Sequence, residues 1–596
     1  NGAIIVQSNL EIMVEFDSPS YEAARDAIAP FTELVKSPEH LHTYKISHLS
    51  LWNAASTGLK AKEVLERLES QSRYPIPQTV ISEIEDYMSR YGLLRLRKEG
   101  DELIMESDDE YMFTEICHLR DVEPFVLNQI DKTRAIVDPE RRGHLKMVLT
   151  NAGFPVEDLA GYLVGDPLHI ELRETMLCGK EFKLRDYQKE AAQVFYASGS
   201  EKGGSGVIVL PCGSGKTVIG IAAMSLIQTK TLILTPNISA SRQWIREIVD
   251  KTNLTIDMVK EYSGEVKEIG PVTVATYQIL TQRKRVKKAG NLSETLSEID
   301  LNEGSEAEMK KELQNFPLFS TQKWGLMIYD EVHLLPAPVF RLSTEMQATR
   351  RLGLTATLVR EDHKETEVFS LIGPKKYDIP WRILEAQGWI ATADCNEIRI
   401  PMEAELKMKY ALAPVRDKIT LASTNPEKTD IVERLLKFYN KPDDRVLIIG
   451  QYIDQLENLS ETLQIPLITG KTPNKEREVL YAGFRDGSIK NLMVSKVGNF
   501  AIDLPDANVL IQISGTFGSR QEEAQRLGRV LRPKSDGGTA HFYSIVTQDS
   551  KEQEFSMNRQ LFLTEQGYAY KIMKRGDWDV LARTPEELAA LQGKES

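Results

Sequence analysis

The sequence has no long run of apolar residues. Its apolar stretches are short, such as Val207 to Leu210 and Val446 to Ile449, whereas a membrane-spanning helix needs about 18 apolar residues in succession. The first residues also lack the basic-then-apolar pattern of a signal peptide. We therefore expect a cytoplasmic protein with no membrane partner.

The sequence also has few cysteines, and it lacks the compositional bias that is typical of disordered chains. Four cysteines, at 117, 178, 212 and 395, show no paired spacing, so no disulfide framework, zinc site or iron–sulfur ligand set is predicted. Hydrophobic residues make up 41% and charged residues 27% of the 596 positions, which is typical of a globular protein. At about 150 residues per domain, this length allows roughly four domains.

Basic residues are fewer than acidic ones in this sequence. The 74 Lys and Arg residues against 87 Asp and Glu residues leave a net charge of -13 at pH 7. This balance argues against a protein covered with basic surface, although a local basic groove would still bind DNA.

The first 115 residues indicate a unit in which helices precede a hairpin. Apolar residues recur at helical spacing between Pro77 and Tyr91, and strand-like segments at 93–97 and 103–106 flank a turn. The pattern is typical of a winged-helix-like α+β domain. Because the last helix carries three acidic residues against Arg90 alone, we expect it to contact protein, or the rest of the chain, rather than DNA. Residues 116–180 are expected to form a connector.

After about residue 181, short runs rich in Val, Ile and Leu alternate with longer amphipathic segments. One set of runs extends from Val207 to Thr355 and a second from Arg445 to Ile545. This alternation predicts parallel sheets wrapped by helices. We therefore expect an α/β fold with two tandem parallel-sheet lobes, at 181–385 and 386–596.

The segment from Leu210 to Thr217 is Gly-rich and lies between a strand and a helical run. In such a turn the backbone N–H groups and a helix N-terminus point at one place, where a polyphosphate binds. Lys216 would neutralise phosphate charge, and Thr217 would complete a Mg2+ shell. Leu210 stands where the usual pattern has its first glycine, so a fortuitous Gly-rich turn is the alternative for this segment taken alone.

Two carboxylates, Asp330 and Glu331, directly follow the apolar strand Leu326 to Tyr329. Since the carboxyl ends of parallel strands meet at one edge of a sheet, both side chains would face the phosphate loop. One carboxylate would then hold Mg2+ through water, and the other would orient the attacking water. An isolated acidic pair is usually a solvated turn, and only the upstream phosphate loop favours hydrolysis.

The second lobe contains Gln525, Arg529 and Arg532, which share one face if their segment is helical. An amide and two guanidiniums on one face suit a γ-phosphate bound between the lobes. Without the other two motifs, an exposed basic helix would be the simpler interpretation.

Taken in order, these segments resemble a superfamily 2 helicase, and specifically the bacterial form of the xeroderma pigmentosum group B (XPB) DNA repair helicase family. The resemblance covers about residues 181–573. It rests on Arg185 to Gln188, Leu210 to Thr217, Asp330 to His333, Leu354 to Thr357, Arg360 to Asp362, Ser495 to Gly498, Ile502 to Pro505, Gln525 to Arg532 and Phe562 to Tyr568. The Arg-Glu-Asp triplet that follows Thr-Ala-Thr is the most specific part.

The resemblance implies two RecA-like lobes that use ATP and Mg2+ to move 3' to 5' on a DNA strand. Such a motor opens or remodels duplex or forked DNA without sequence preference, as in nucleotide excision repair. In relatives, a damage-sensing domain occupies the place of residues 116–180.

Carried over position by position, the resemblance also implies roles for individual residues. The ATP site would comprise Arg185, Gln188, Pro211, Cys212, Gly213, Ser214, Gly215, Lys216, Thr217 and Asp503. The catalytic residues would be Lys216, Asp330, Glu331, Gln525, Arg529 and Arg532, with Thr217 and Asp330 at the metal. DNA would contact Thr235, Pro236, Thr276, Tyr277, Arg360, Glu361, Asp362, Ser495 and Lys496, and Thr355 and Thr357 would couple hydrolysis to DNA.

Three functional hypotheses remain open at this point. The first is an ATP-dependent DNA helicase or translocase. The second is an ATP-gated DNA-binding scaffold that recruits a nuclease through residues 1–115 without processive unwinding. The third, weaker hypothesis is a motor directed to RNA.

Overall fold

The computed structural model describes most of the chain as four units in series. The described residues are 2–37, 41–177, 179–211, 214–281, 318, 322–336, 339, 346–347, 349–356, 365–379, 384, 387, 393–495, 507–514, 540–565 and 568–573. None of the helices in these ranges has the length and apolar character that a bilayer crossing demands. Two parallel-sheet lobes follow two smaller α+β units, so the expected fold class is confirmed.

The first unit, residues 2–90 and hereafter the N-terminal unit, is an antiparallel sheet with four helices. Its elements are β1 (Ile4–Val6), β2 (Glu11–Glu15), α1 (Tyr21–Ile28), β3 (Glu33–Lys36), β4 (Leu41–Lys45), α2 (His48–Ser56), α3 (Ala61–Gln71) and α4 (Gln78–Arg90). The strand order is β1-β2-β4-β3. The helix predicted between Pro77 and Tyr91 is confirmed, and its apolar face buries Val80, Ile84 and Met88 in the core of this unit.

The second unit, residues 94–158, is a five-stranded sheet with the order β7-β8-β6-β5-β9. Its elements are β5 (Leu94–Glu99), β6 (Glu102–Ser107), α5 (Glu110–Cys117), β7 (Val126–Gln129), β8 (Arg134–Val137), α6 (Arg142–Asn151) and β9 (Val156–Asp158). The predicted wing is the β5–β6 hairpin, and it lies in the middle of this sheet because β6 pairs with β8 and β5 with β9. The sheet therefore crosses the boundary expected at residue 115.

Lobe 1, residues 181–379, is a seven-stranded parallel sheet. Its elements are α7 (Asp186–Tyr196), β10 (Ser205–Val209), α8 (Lys216–Ile227), β11 (Thr231–Thr235), α9 (Ile238–Lys251), β12 (Val259–Tyr262), β13 (Val272–Thr276), α10 (Tyr277–Thr281), β14 (Leu326–Asp330), β15 (Arg350–Thr355), α11 (Glu365–Leu371) and β16 (Lys375–Asp378). The strand order is β12-β13-β11-β14-β15-β10-β16. Separate apolar clusters lie on its two faces, which is why its strands are continuous apolar runs in the sequence.

Lobe 2, residues 393–573, repeats this architecture. Its elements are β17 (Ala393–Ile400), α12 (Ala404–Leu412), α13 (Val415–Ser423), α14 (Glu427–Phe438), β18 (Val446–Gly450), α15 (Ile453–Leu463), β19 (Leu467–Ile468), α16 (Asn474–Asp486), β20 (Asn491–Ser495), β21 (Val509–Gln512), β22 (Ala540–Thr547), α17 (Lys551–Glu565) and β23 (Ala569–Met573). The strand order is β19-β20-β18-β21-β22-β17-β23, with parallel pairing throughout. Both predicted sheets are thus confirmed.

The N-terminal unit contacts both lobes. On lobe 1, Asn53 Oδ1 accepts a hydrogen bond from the backbone N–H of Lys375 at 2.9 Å, and the Ser56 hydroxyl donates to the Lys375 carbonyl at 3.1 Å. On lobe 2, the Gln560 amide donates to the Ser37 carbonyl at 2.7 Å. Helix α2 therefore lies against edge strand β16, while β3 lies near α17.

A buried ion cluster joins the second unit to lobe 1. Arg142 and Lys146 of α6 contact Asp158 with N–O distances of 2.6 and 2.9 Å, and the Lys146 ammonium also donates to Gln347 Oε1 at 2.8 Å. Burial lowers the pKa of Lys146 to about 8, although Asp158 opposes this effect. Burial disfavours the ionised form of Asp158 as well, but the two cations outweigh it and lower the pKa of Asp158. The carboxylate is therefore charged at neutral pH.

We expect Asp158→Ala to lower the free energy of unfolding by about 3–5 kcal/mol, because two buried cations lose their counter-ion. Urea unfolding followed by circular dichroism measures this loss. Asp108 pairs with Arg95 at 2.7 Å, but the Asp108 side chain is 78% exposed, so Asp108→Ala is a matched control that should leave the unfolding midpoint almost unchanged. Equal losses in the two variants would contradict a structural role for the buried cluster.

Candidate active site

The predicted phosphate loop connects β10 to α8 as expected. Gly215 is the N-terminal cap of α8 and has a left-handed backbone with φ of 82°, which glycine adopts without steric cost. The Ser214 hydroxyl donates to the Pro211 carbonyl at 2.7 Å and closes the turn. Lys216 and Thr217 are the first two residues of α8, so both lie at the helix N-terminus, where anions bind.

Side chains from α7 hold the phosphate loop from one side. The Tyr187 hydroxyl and the Gln188 amide both donate to the Ser214 carbonyl, at 2.5 and 3.2 Å. Arg185, the residue before α7, donates to the Tyr187 hydroxyl at 3.0 Å. Arg185 and Gln188, expected to sense adenine, therefore lie beside the loop, and the Gln188 amide contacts the loop backbone directly.

The predicted acids meet the predicted lysine. The Lys216 ammonium lies 3.0 Å from Glu331 Oε1, and both side chains are only 11% exposed. Sheet topology explains the contact, because β10 and β14 flank β15 and their carboxyl ends open onto the same crevice. The structure thus joins two motifs that are far apart in the sequence.

Asp330 has a different environment from Glu331. Its Oδ2 accepts a hydrogen bond from Trp244 Nε1 at 2.9 Å, and its backbone carbonyl accepts one from the Tyr277 hydroxyl at 2.7 Å. Loss of hydration, and then the neighbouring charge of Glu331, raise the pKa of Asp330. Both effects disfavour the charged form of Asp330, and a cation beside this carboxylate would offset them.

Glu331 is held in its ionised form. Burial alone would raise the pKa of Glu331, but the charges of Lys216 and His333 outweigh this effect and lower it. An ionised carboxylate in a water-poor cleft can orient a water molecule and accept its proton. The surroundings therefore move the pKa values of the two adjacent acids in opposite directions.

Glu331 also marks a sharp change in the direction of the chain. Its backbone is left-handed, with φ of 53°, a conformation that costs a residue other than glycine on the order of 1 kcal/mol. The short 3-10 turn Val332–Leu334 follows directly. His333 Nδ1 lies 2.6 Å from Thr355 Oγ1 and 3.4 Å from Glu331 Oε2. The imidazole therefore links the acidic motif to the threonine at the end of β15.

Mg2+ would fit the donors of this site. Among the described residues, no three His, Cys, Asp or Glu side chains converge as the ligands of a metal ion would. Mg2+ at phosphate sites usually takes one or two carboxylates and completes its shell with phosphate and water. The Asp330 carboxylate, with Thr217 in the first turn of α8, matches that donor set.

The predicted DNA contacts in the described ranges lie at the carboxyl ends of strands or directly after them. They are Thr235, Pro236, Thr276, Tyr277 and Ser495. The side chains of four of them are buried, and that of Pro236 is half-buried. The Thr235 hydroxyl lies 2.6 Å from that of Ser241, and the Tyr277 hydroxyl contacts Asp330. The structure therefore uses these two hydroxyls internally, and contact with DNA stays a prediction.

The other predicted site residues lie outside the described residues. They are Cys212, Gly213, Thr357, Arg360, Glu361, Asp362, Lys496, Asp503, Gln525, Arg529 and Arg532. Their roles stay predictions.

Three residues of the site were given no role by sequence reasoning. Tyr187 and His333 lie inside recognised segments, where their spacing from Gln188 and Asp330 is a usable signal. Trp244 is 86 positions away from Asp330, and no local pattern marks it. Only the folded sheet brings its indole to the acidic motif.

Three family models match the chain. The ERCC3/RAD25/XPB C-terminal helicase model matches residues 384–587. The model for type III restriction enzyme, res subunit, matches residues 181–360, and one described as helicase conserved C-terminal domain matches residues 4–131.

Curated relatives match over nearly the whole length. "DNA 3'-5' helicase XPB" of Mycobacterium tuberculosis is 48% identical over 97% of this chain and 98% of its own. The "General transcription and DNA repair factor IIH helicase/translocase subunit XPB" of Enterocytozoon bieneusi is 32% identical over 94% of this chain and 90% of its own. A solved structure, the Hef helicase domain of Pyrococcus furiosus, covers 63% of this chain and 98% of its own at 13% identity, with a TM-score of 0.41.

We expect Gly215→Ala to weaken nucleotide binding roughly tenfold, a loss of about 1.4 kcal/mol. A Cβ at this left-handed position would lie 2.6 Å from the Gln188 amide nitrogen, so the amide would be displaced from the phosphate loop. Titration with a fluorescent ATP analogue measures the affinity. A Cβ added to Gly264 would meet no heavy atom within 4 Å, so Gly264→Ala is the control, and equal weakening in both variants would contradict a role for the Gln188 contact.

Proposed function

The chain belongs to the XPB family of DNA 3'-5' helicases, and on that premise we propose that it hydrolyses ATP to move 3' to 5' on DNA and to open or remodel the duplex. The observation that carries this proposal is the contact of Lys216 with Glu331 at 3.0 Å. A phosphate-binding lysine and a water-orienting acid meet there, at the carboxyl edge of a parallel sheet. That combination suits phosphoryl transfer to water.

The ion pair suggests how nucleotide binding prepares the site. A γ-phosphate beside the N-terminus of α8 competes with Glu331 for the Lys216 ammonium. Once Lys216 turns to phosphate, the Glu331 carboxylate is released to orient water and take its proton. His333 lies within reach of both Glu331 and Thr355, so it would carry the change to Thr355. Hydrolysis is thereby linked to Thr355, at the end of β15, and to Thr357, which are the two proposed coupling residues.

Mg2+ would be held by Asp330 and Thr217 and would neutralise charge on the phosphates. Arg185, Gln188, Pro211 to Thr217 and Asp503 are the proposed ATP site. We assign Gln525, Arg529 and Arg532 to lobe closure over the γ-phosphate, where an arginine stabilises the charge of the transition state.

Single-stranded DNA is proposed to cross the carboxyl edges of both lobes without sequence preference. The proposed contacts are Thr235, Pro236, Thr276, Tyr277, Arg360, Glu361, Asp362, Ser495 and Lys496. The triplet Arg360 to Asp362 is proposed to contact DNA at the duplex junction. At the other positions the backbone groups suit phosphate rather than base recognition.

The cellular role and the domain division are further parts of the proposal. A relative is named as a transcription and DNA repair subunit, so we place this chain in DNA repair, as in nucleotide excision repair, and in the cytoplasm. The sequence predicts domains at 1–115, 116–180, 181–385 and 386–596. We propose to move the first boundary to about residue 90, because the β5–β6 hairpin pairs with β8 and β9, and the unit that follows would then take the place of the damage-sensing domain.

We expect Glu331→Gln to bind ATP but to lower DNA-stimulated turnover roughly 100-fold, because the amide cannot accept the proton of the attacking water. Phosphate release and fluorescent-nucleotide titration measure the two properties separately. Glu268 pairs with Lys260 and is 58% exposed, so Glu268→Gln is the matched control. Unchanged turnover in Glu331→Gln would refute the assignment of the catalytic acid.

A second candidate is an ATP-gated DNA-binding scaffold that recruits a nuclease without processive unwinding. The contacts of the N-terminal unit with Lys375 of lobe 1 and Gln560 of lobe 2 favour it, because nucleotide-driven lobe movement would also move this unit. ATPase activity is expected from both candidates.

A forked substrate with a 3' tail distinguishes the two candidates. We expect strand separation that requires ATP and is lost in Glu331→Gln, since the motor must convert hydrolysis into movement. A fluorophore and quencher pair on the duplex measures separation, and ATPase on single-stranded DNA, duplex and RNA serves as the comparison. Vigorous ATPase without separation would favour the scaffold, and preferential stimulation by RNA would point to an RNA-directed motor.

A further inference from the structure

Trp244 is a buried residue of helix α9 that contacts the acidic motif directly. Its side chain belongs to the core of lobe 1 and is only 1% exposed. The indole Nε1–H donates a hydrogen bond to Asp330 Oδ2 at 2.9 Å. A buried indole N–H needs a partner, and here that partner is the carboxylate proposed to hold Mg2+.

The Trp244 ring also packs against the helix that begins at the phosphate loop. A Cβ added to Gly220 of α8 would lie 2.4 Å from Cη2 of the ring, and 3.4 Å from a methyl group of Leu354 in β15. The indole therefore packs directly against the backbone of α8 at Gly220, about one turn after Thr217. One rigid side chain thus touches both elements that supply the proposed metal site.

The hydrogen bond places the two oxygens of Asp330 in different situations. Oδ2 is oriented by the indole, whereas the indole does not engage the other oxygen. Since the indole donates and cannot accept, the oxygen that it contacts must act as an acceptor, which any proton on the other oxygen would leave unchanged. An indole so placed would limit rotation of the carboxylate and fix the direction of its other oxygen.

We propose that Trp244 is a positioning residue that fixes the distance and orientation of Asp330 relative to the N-terminus of α8, and so sets the affinity of the nucleotide site for Mg2+. This inference rests on the proposed ATPase function. Trp244 lies outside every recognised motif. The inference explains how the proposed metal-binding carboxylate, Asp330, is held in place.

Trp324 provides a matched control in the same lobe. Its side chain is 4% exposed, and its indole Nε1–H donates to the Leu318 carbonyl at 2.8 Å. Replacing either tryptophan by phenylalanine removes one buried indole hydrogen bond. Only the Trp244 change removes a bond to the acidic motif.

The test compares the full-length chain with Trp244→Phe and Trp324→Phe. Binding of fluorescent ADP and hydrolysis of ATP are titrated with MgCl2, and thermal unfolding is followed in parallel. We expect Trp244→Phe to need about tenfold more Mg2+ for half-maximal binding, while its affinity for ADP without Mg2+ changes less than twofold. Trp324→Phe should keep the Mg2+ dependence of the parent at a similar loss of thermal stability.

The outcomes separate the inference from the function. A parent chain without Mg2+-dependent hydrolysis would refute the proposed ATPase itself. An active parent with the same Mg2+ requirement in Trp244→Phe, or with equal shifts in both variants, would overturn the role of Trp244 alone.

A second measurement covers the case in which Trp244→Phe fails to fold. In the parent labelled with 15N-tryptophan, the indole N–H signal of Trp244 should shift when Mg2+ is added to the ADP-bound chain, and that of Trp324 should not. The Trp324 signal is identified by its loss in Trp324→Phe. Suppose that binding assays show Mg2+ bound with ADP, but no indole signal other than that of Trp324 responds to Mg2+. This result would overturn the inference.

Discussion

The contact between Lys216 and Glu331 is the interaction on which the rest of the site depends. Two opposite charges lie together with little exposure to solvent, an arrangement that is favourable only when the geometry is good. It requires β10 and β14 to flank β15, so that their carboxyl ends meet. It also requires the left-handed backbone at Glu331, because the chain must turn sharply to present this carboxylate.

The acidic motif shows how two neighbouring carboxylates acquire different chemistry. The surroundings raise the pKa of Asp330 and lower the pKa of Glu331. The difference comes from their partners, since Glu331 faces a lysine and a histidine, whereas Asp330 faces an indole and the charge of Glu331. The pKa values of two neighbouring acids are thus moved in opposite directions, and the tasks of these acids in hydrolysis belong to the proposal.

The parts of this fold that were predictable from sequence are those with local signals. The parallel strands are apolar runs, and the phosphate loop is a contiguous segment, so the meeting of Lys216 with Glu331 followed from the rule for parallel sheets. The placement of the β5–β6 hairpin depends on pairing with β8 and β9, which leaves no trace in the hairpin itself. Trp244 and its bond to Asp330 were equally invisible, because 86 positions separate them.

The contacts of the N-terminal unit have a mechanical consequence. Two hydrogen bonds attach α2 to the Lys375 backbone, but in the described residues one side-chain bond, from Gln560, attaches this unit to lobe 2. If the lobes move relative to each other, the contact with fewer hydrogen bonds, that with lobe 2, breaks first. The N-terminal unit would then move together with lobe 1. Each cycle of ATP hydrolysis would open and close a gap between Ser37 and helix α17.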